Sequence, residues 1–283
     1  MGTPNTTEND TVYFETPGVA MIAKTDFNPL GIQAFLKQFD DHAAPTDPKF
    51  FPYTMDTQLE PGTYLPKFAG QLCYLSFGEN RTKNADAGRY FENIRGQKHG
   101  SVLEHTNYSF LFWGVSRSFT HELVRHRAGW GYSQVSQRYV DGSRLRFVKR
   151  PEFTSDVLEG LFEDRIDDAA NAYDQVAKEL GVVMAGELEA MSKTDRRKAT
   201  NQAARAVLPN ETEAPIVATG NARAWRHFLN MRGSLFAEPE IRRVAIRTFV
   251  CLAIASPVLF EDFAICREDK TDRIYLHTEH PKV

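Results

Sequence analysis

The stretch Arg117–Tyr139, RSFTHELVRHRAGWGYSQVSQRY, decides how the chain is read. Its first half has helical spacing: Phe119, Leu123 and His126 recur at i, i+4 and i+7, and Ser118 stands where a first-turn cap is expected. Arg117, His121 and Arg125 form a second stripe, which taken alone reads as a solvated helix face. Gly129 and Gly131 predict the helix stop, since glycine tolerates the backbone angles that a turn into Tyr132–Tyr139 demands. No packing core needs this many donors: Arg117, Arg125, Arg127 and Arg138 stand beside His121, Glu122, His126, Gln134 and Ser136. Guanidinium groups stay charged and grip oxyanions through parallel hydrogen bonds, so the cluster suits phosphate, carboxylate or a polarised carbonyl. The bland alternative for Gln134, Ser136 and Arg138 is that they pin a loop.

Upstream, Tyr108–Val115 (YSFLFWGV) is a nearly continuous apolar and aromatic run, read as a buried central strand. His99–His105 (HGSVLEH) is then the loop that delivers chain to it. Its histidines and Glu104 raise the question of a metal, but the spacing of a zinc helix, H-E-x-x-H, is absent; no metal is expected, and closing a buried turn is the competing role for Glu104 and His105. Earlier still, Val19–Lys24 reads as a strand and Ile32–Phe39 as a helix. The polar, proline-punctuated segment His42–Pro66 is expected as a long loop, followed by short helices at Phe68–Phe77 and Ala85–Ile94.

Downstream, Leu145–Lys149 is expected as an edge strand and Glu152–Leu180 as a scaffold helix with apolar Val157, Leu161, Ile166 and Ala169. Lys193–Leu208 is a further helix closed by Pro209, with Arg205 near its end. Ile216–Thr219 reads as a strand leading to Asn221, which can cap the helix Ala222–Arg232. There Arg223 and His227 share one face, and Trp225, Phe228 and Arg232 another; Trp225, Phe228 and Met231 are better read as core than as a cofactor box. Glu238–Leu259 is a last core helix, and 267–283 a charged C-terminal tail. No repeat or low-complexity linker divides the chain, so one domain over 1–283 is expected, with 1–17 as a polar N-terminal tail.

At 283 residues, with 42% hydrophobic and 25% charged residues, the composition is that of an ordinary soluble globule. A formal net charge of -3 excludes a global electrostatic case for nucleic acid or a membrane surface, so local arginine clusters are read as site chemistry. The N-terminus MGTPNTTENDTVYFETPG lacks a basic segment followed by an apolar one, and no apolar run approaches the ~20 residues of a membrane span. Gly2 with Thr6 fits the loose myristoylation pattern, a match expected by chance. Cys73, Cys251 and Cys266 lie far apart without metal-ligand spacing, which points to a reducing cytoplasm with thiols as core filler.

The segments Arg117–Arg127 and Arg223–Arg232, with Arg205, carry more fixed positive charge than one monophosphate uses; a dinucleotide cofactor and a nucleotide substrate together would use it. Neither G-x-G-x-x-G after a strand nor G-x-x-x-x-G-K-[ST] occurs, so phosphates must be held by side chains. No G-x-S-x-G elbow occurs either, and Cys73 and Cys251 lie in apolar sequence where a thiolate is disfavoured. Positioning and electrostatic stabilisation remain as the chemistry.

Taken together, Arg125-His126-Arg127 followed by Ser136-Gln137-Arg138-Tyr139 resembles the signature of the flavin-dependent thymidylate synthases, the ThyX family. The likeness runs from about Val19 to Ile265 and includes IAKTDF, the pair Cys73-Tyr74, HGSVLEH, SRSFTHELVRHR, QAARAVLPNET, TGNARAWRHF and EIRR, in that order. The resemblance implies an α+β fold, a mixed or antiparallel sheet flanked by helices. It implies a homotetramer with shared active sites that binds FAD, reduces it with NADPH, and uses methylenetetrahydrofolate to methylate C5 of dUMP without an enzyme nucleophile. Carried over by motif, Ser101, Arg125, His126, Arg127, Gln134, Asn221, Arg223 and His227 are similar to FAD contacts. Glu122, Leu123, Val124, Arg125, Gln134, Val135, Ser136, Gln137, Arg138, Arg205 and Arg232 are similar to dUMP contacts, Arg232 being the residue that favours negative charge on the uracil ring. Tyr74, His99 and Tyr139 resemble positions near the folate.

The chain departs from the family pattern in two places. Trp130 stands where a serine is expected, with one extra residue between Arg127 and Ser136, and Leu235-Phe236 replaces a polar pair after Arg232. Both bear on the folate pocket and on the choice of pyrimidine, so the alternatives are a related methylase acting on UMP in nucleoside-antibiotic synthesis, or a non-catalytic nucleotide- or RNA-binding protein on the same scaffold.

Overall fold

A computed structural model describes residues 2–42, 59–76, 86–140 and 145–283. In chain order its elements are β1 (Pro4–Thr6), β2 (Val12–Phe14), β3 (Gly18–Lys24), α1 (Pro29–His42), α2 (Pro61–Cys73), α3 (Ala87–Gly96), a 3-10 turn (Gly100–His105), β4 (Asn107–Trp113), α4 (Arg117–Leu123), β5 (Trp130–Gln134) and β6 (Arg146–Val148). There follow α5 (Asp156–Val183), α6 (Ala185–Glu189), α7 (Lys193–Ala204), a 3-10 turn (Arg205–Val207), β7 (Ile216–Asn221), α8 (Ala222–Arg232), α9 (Pro239–Ala255), α10 (Pro257–Phe260), β8 (Phe263–Arg267) and β9 (Ile274–Thr278).

The central sheet has the order β3-β4-β7-β5, antiparallel throughout, which makes the fold α+β. Strand β4 alternates as a half-covered strand must: Phe110 and Phe112 point inward and are fully buried. Trp225 of α8 crosses them edge-on at 4.8 and 6.3 Å, and its Nε1 donates to the Tyr108 carbonyl at 3.1 Å. Helix α9 covers the same core with Ile241, Val244, Ala245 and Leu252. A smaller core of Tyr13, Phe147, Phe162 and Ile166 lies between α5 and the sheet β1-β2-β6.

Several expectations change. Helix α4 ends at Leu123, before Gly129, and its cap is Ser116 rather than Ser118: the Ser116 Oγ accepts from Phe119 N–H at 3.1 Å and donates to Glu240 at 2.6 Å. Only Gly129 of the two glycines has positive φ, at 77°. The HGSVLEH segment is mostly a 3-10 turn, not an irregular loop. Helix α2 begins at Pro61, inside the expected loop, because Glu60 caps it and proline suits a first helical turn; residues 43–58, and 77–85 between α2 and α3, lie outside the described residues.

On α5, Val157 and Leu161 are 73% and 61% exposed, because Phe162, Ile166 and Tyr173 own the inward face. The last core helix breaks at Ser256-Pro257, where proline cannot continue the hydrogen-bond ladder. Neither expected tail is structureless: β1 and β2 join β6 in a sheet, and Thr7 and Asn9 donate to Asp167 of α5 at 2.8 Å each. The 267–283 segment closes the β8–β9 hairpin and folds back onto α8, with Leu276 N–H donating to the Gly233 carbonyl at 2.7 Å. Cys73 is exposed rather than core filler, while burial pushes the Cys251 thiol up. No helix among the described residues is long and apolar enough to cross a membrane.

Candidate active site

The residues Arg125-His126-Arg127 leave α4 by a tight turn. His126 N–H donates to the Leu123 carbonyl at 3.1 Å, and the Tyr132 hydroxyl lies 3.1 and 2.9 Å from the Leu123 and His126 carbonyl oxygens. That turn splits the triplet: Arg125 and Arg127 are exposed, while His126 is buried edge-on against Phe228 and His227 at 5.5 Å each. Past it, Gly129 stitches the loop to α8. Its carbonyl accepts from Asn221 N–H at 3.2 Å, and the Asn221 side chain in turn caps α8 by accepting from Ala224 N–H at 2.8 Å.

A cavity of about 840 Å³ results, walled by the Arg125–Trp130 loop on one side and Asn221, Arg223, His227 and Arg232 on the other. Arg125 and Arg127 have no carboxylate partner among the described residues, whereas Arg223 meets Glu104 at 2.6 Å. Arg232 donates through Nε to His126 Nε2 at 3.2 Å and through its terminal nitrogens to the Glu122 carboxylate at 2.5 Å and carbonyl at 3.3 Å. Burial, then the charge of Arg232 and the proximity of His227, lower the His126 pKa from 6.5 to about 4. His126 is therefore neutral at pH 7 and free to accept that bond.

The residues beyond β5 form a second locus. Gln134 Nε2 donates to Thr120 Oγ1 at 3.3 Å, and Val135 N–H to the Pro215 carbonyl at 2.9 Å. Among the described residues, Gln137 Nε2 and Arg138 Nε are buried without a hydrogen-bond partner, as donors awaiting an acceptor would be. Val135 and Gln137 line a smaller cavity of about 430 Å³ with Arg146, Glu213 and Tyr173. Ser136 is half-buried beside them; Arg205 is exposed and close enough to Arg117 to lower the latter's pKa, though burial is the larger cause.

The chain thus brings Arg125, His126, Arg127, Asn221, Arg223, His227 and Arg232 to one cavity and separates them from the Gln134–Arg138 group. Leu123 is fully buried in the core and Val124 exposed. Ser101, Tyr74, His99 and Tyr139 are exposed and line neither cavity; Arg138 and Lys198 lie over the Tyr139 ring at 5.9 and 5.3 Å.

Comparison with known proteins bears on this arrangement. Residues 59–258 match the family model described as Thymidylate synthase complementing protein. The chain is 43% identical over 238 residues to the flavin-dependent thymidylate synthase of Mycobacterium tuberculosis (strain ATCC 25618 / H37Rv), covering 84% of this chain and 91% of that protein. It is 44% identical over 212 residues to the flavin-dependent thymidylate synthase of Mycobacterium sp. (strain KMS), covering 74% and 83%. The chain belongs to the flavin-dependent thymidylate synthase family.

Among solved structures it resembles the UMP/dUMP methylase PolB from Streptomyces cacaoi bound with 5-Br dUMP, at a TM-score of 0.54 and 19% identity, over 87% of this chain and 94% of that one. The same methylase bound with 5-Br UMP matches at 0.54 and 18%. At such identity the likeness speaks to the fold.

In this family member the larger cavity is also lined by Trp130, Glu104 and Pro281–Val283, none of them among the expected contacts, and by Met231, which was expected in the core but is 51% exposed because it lies on the outer side of α8. Trp130 was visible only as a departure from the pattern, and Pro281–Val283 reach the cavity through the β8–β9 hairpin, which no local periodicity announced. At the second departure, Phe236 is 96% exposed, and the Leu235 carbonyl accepts from Arg242 at 2.8 Å. Among the described residues, no group of three or more His, Cys, Asp or Glu side chains is placed to hold a metal.

Proposed function

We propose that this family member, as one catalytic domain spanning 1–283, carries out the reductive C5-methylation of dUMP, with FAD as its flavin and NADPH and methylenetetrahydrofolate as co-substrates. The observation that carries this reading is the larger cavity: two guanidiniums without a carboxylate partner among the described residues, Arg125 and Arg127, face the capped start of α8 across a concave space of about 840 Å³. That donor set fits a pyrophosphate, and the volume lies in the range of small-molecule sites, ~300–1,000 Å³. Arg125, Arg127, Asn221, Arg223 and His227 would hold the cofactor, which when bound supplies the reducing equivalents.

Arg232 is the residue we assign to the pyrimidine. Its guanidinium, braced by Glu122 and by neutral His126, is positioned to stabilise negative charge that develops on a ring opposite it. Gln134–Arg138 and Arg205 supply donors for the nucleotide phosphate; the unsatisfied nitrogens of Gln137 and Arg138 support that role. One subunit keeps these two groups apart, which is what a site shared between subunits leaves in each, so the catalytic unit we propose is a homotetramer. A reducing cytoplasm fits the free cysteines.

Purified protein should be yellow, and Arg127→Ala or His227→Ala should weaken FAD binding roughly tenfold to a hundredfold, the worth of a charge-assisted hydrogen bond at ~1.5–3 kcal/mol. Absence of any visible or calorimetric response to excess FAD contradicts the reading.

A further inference from the structure

We propose that Trp130 is a cofactor-binding residue whose indole stacks against the isoalloxazine ring. The proposal rests on the larger cavity being the flavin site. Trp130 opens β5 at the edge of the central sheet, immediately after the turn at Gly129, and pairs with Gly220 of β7. Glycine there is what lets the indole lie against the strand backbone: a Cβ on Gly220 would come within 3.0 Å of the six-membered part of the ring. Neighbours fix its orientation. Trp225 meets it edge-on at 4.3 Å and Phe228 at 6.1 Å, while Tyr132 runs parallel to it at 5.7 Å.

The indole remains only half-buried, and the surface it leaves open lines the cavity. Apart from the flexible Met231, the long side chains of this wall, Arg125, Arg127, Arg223 and Arg232, are charged, so the Trp130 ring is the rigid aromatic plane on which a flat ligand can lie. An aromatic surface left wet at the mouth of a polar cavity is unfavourable until something planar covers it. On its inner side the indole packs against the core through Trp225 and Phe228.

Position selects which planar group. The His126 ring lies 6.2 Å from Trp130 on one side and accepts from Arg232 on the other. A ring stacked on Trp130 is therefore one imidazole away from the arginine assigned to the pyrimidine, where the redox-active end of the cofactor must be. The adenine end is left to the region of Glu104 and Arg223.

The test titrates FAD and FMN into wild-type, Trp130→Ala and Trp130→Phe protein, following visible flavin absorption and calorimetry, with circular dichroism as the check on folding. Truncation to alanine should weaken both FAD and FMN roughly tenfold, in line with base–aromatic stacking. Trp130→Phe keeps a ring against Trp225 and should stay within about threefold of wild type. Bound-flavin emission should be quenched in wild type, where the indole touches the flavin, and should rise in both variants; Trp130→Phe therefore decides the matter even if the alanine variant unfolds. Wild-type affinity and emission in the folded variants overturn the proposal, as does loss of FAD but not FMN affinity, which would put adenine on the indole. No flavin binding by wild type overturns the reading of the cavity itself, a different failure.

Discussion

Arg232 Nε donates to His126 Nε2 at 3.2 Å, and the same guanidinium holds Glu122 at 2.5 Å. A cation resting on a neutral imidazole and balanced by one carboxylate is oriented before substrate arrives. Arg232→Lys keeps the charge but loses the planar fork, so kcat should fall by roughly a hundredfold to a thousandfold, with a smaller change in KM for the nucleotide. Steady-state kinetics check this; a large KM effect at unchanged kcat would make Arg232 a binding residue only.

Burial of His126, and then this contact, set a pH dependence. The folded His126 pKa, about 4, lies below its ordinary 6.5, so on acidification the unfolded chain takes up the proton first. The contribution is fully present above pH 6.5 and is lost as pH falls from there through about 4. Over that window wild type should lose on the order of 3 kcal/mol more than His126→Gln. Urea midpoints measured at intervals across it give the difference; parallel curves would show that His126 is not buried neutral.

Gly129 and Gly131 separate two kinds of glycine. Gly129 has φ 77°, and a Cβ there would lie 2.5 Å from Asn221 Nδ2, whereas a Cβ on Gly131 meets nothing within 4 Å. Gly129→Ala should cost at least ~1–2 kcal/mol from the left-handed backbone alone, and should loosen the cavity wall enough to weaken FAD. Gly131→Ala should be near neutral in both unfolding and titration.

Much of this was legible because it is local. The apolar run of β4, the strand leading to Asn221 as a cap, and the Trp225–Phe228 face of α8 all follow from neighbours within a turn or a strand, whereas β4 is covered on alternate residues and not throughout, and Arg232 joins Arg223 and His227 at the cavity. The end of α4 was not, because its start is fixed by Glu240, distant in sequence, and its exit by Tyr132 bonding back to the turn. Motif spacing gathered the arginines of the larger cavity, yet gave no sign that Val135 and Gln137 line a separate one. The C-terminal segment read as a charged tail because its charges are interspersed with the few apolar residues, such as Leu276, that anchor it.

That anchoring is itself testable. Arg226 of α8 is buried, donates to both Asp262 oxygens at 2.6 and 2.7 Å, and reaches the Val283 carbonyl at 3.1 Å. Burial pushes the Asp262 pKa up, but the Arg226 hydrogen bonds and charge outweigh it and hold the carboxyl below its usual range. Arg226→Met should destabilise by ~3–5 kcal/mol by stranding the carboxylate, and Asp262→Asn should recover part of that loss in the double variant. Equilibrium unfolding of the four proteins closes the cycle; a single-variant cost below ~1 kcal/mol would contradict the pairing.

Flavin-dependent methyl transfer to a pyrimidine nucleotide is the reaction assigned to Arg232 and the larger cavity. A pocket shaped only by apolar contact rejects an added hydroxyl weakly, by ~10²-fold, whereas one that hydrogen-bonds the hydroxyl discriminates more strongly. The most direct measurement is kcat/KM for dUMP and for UMP with FAD, NADPH and isotopically labelled methylenetetrahydrofolate, scoring label at C5. The expected result is methylation of both with dUMP preferred; UMP equal to or better than dUMP reverses the substrate assignment, and transfer to neither nucleotide rules out the methylation itself.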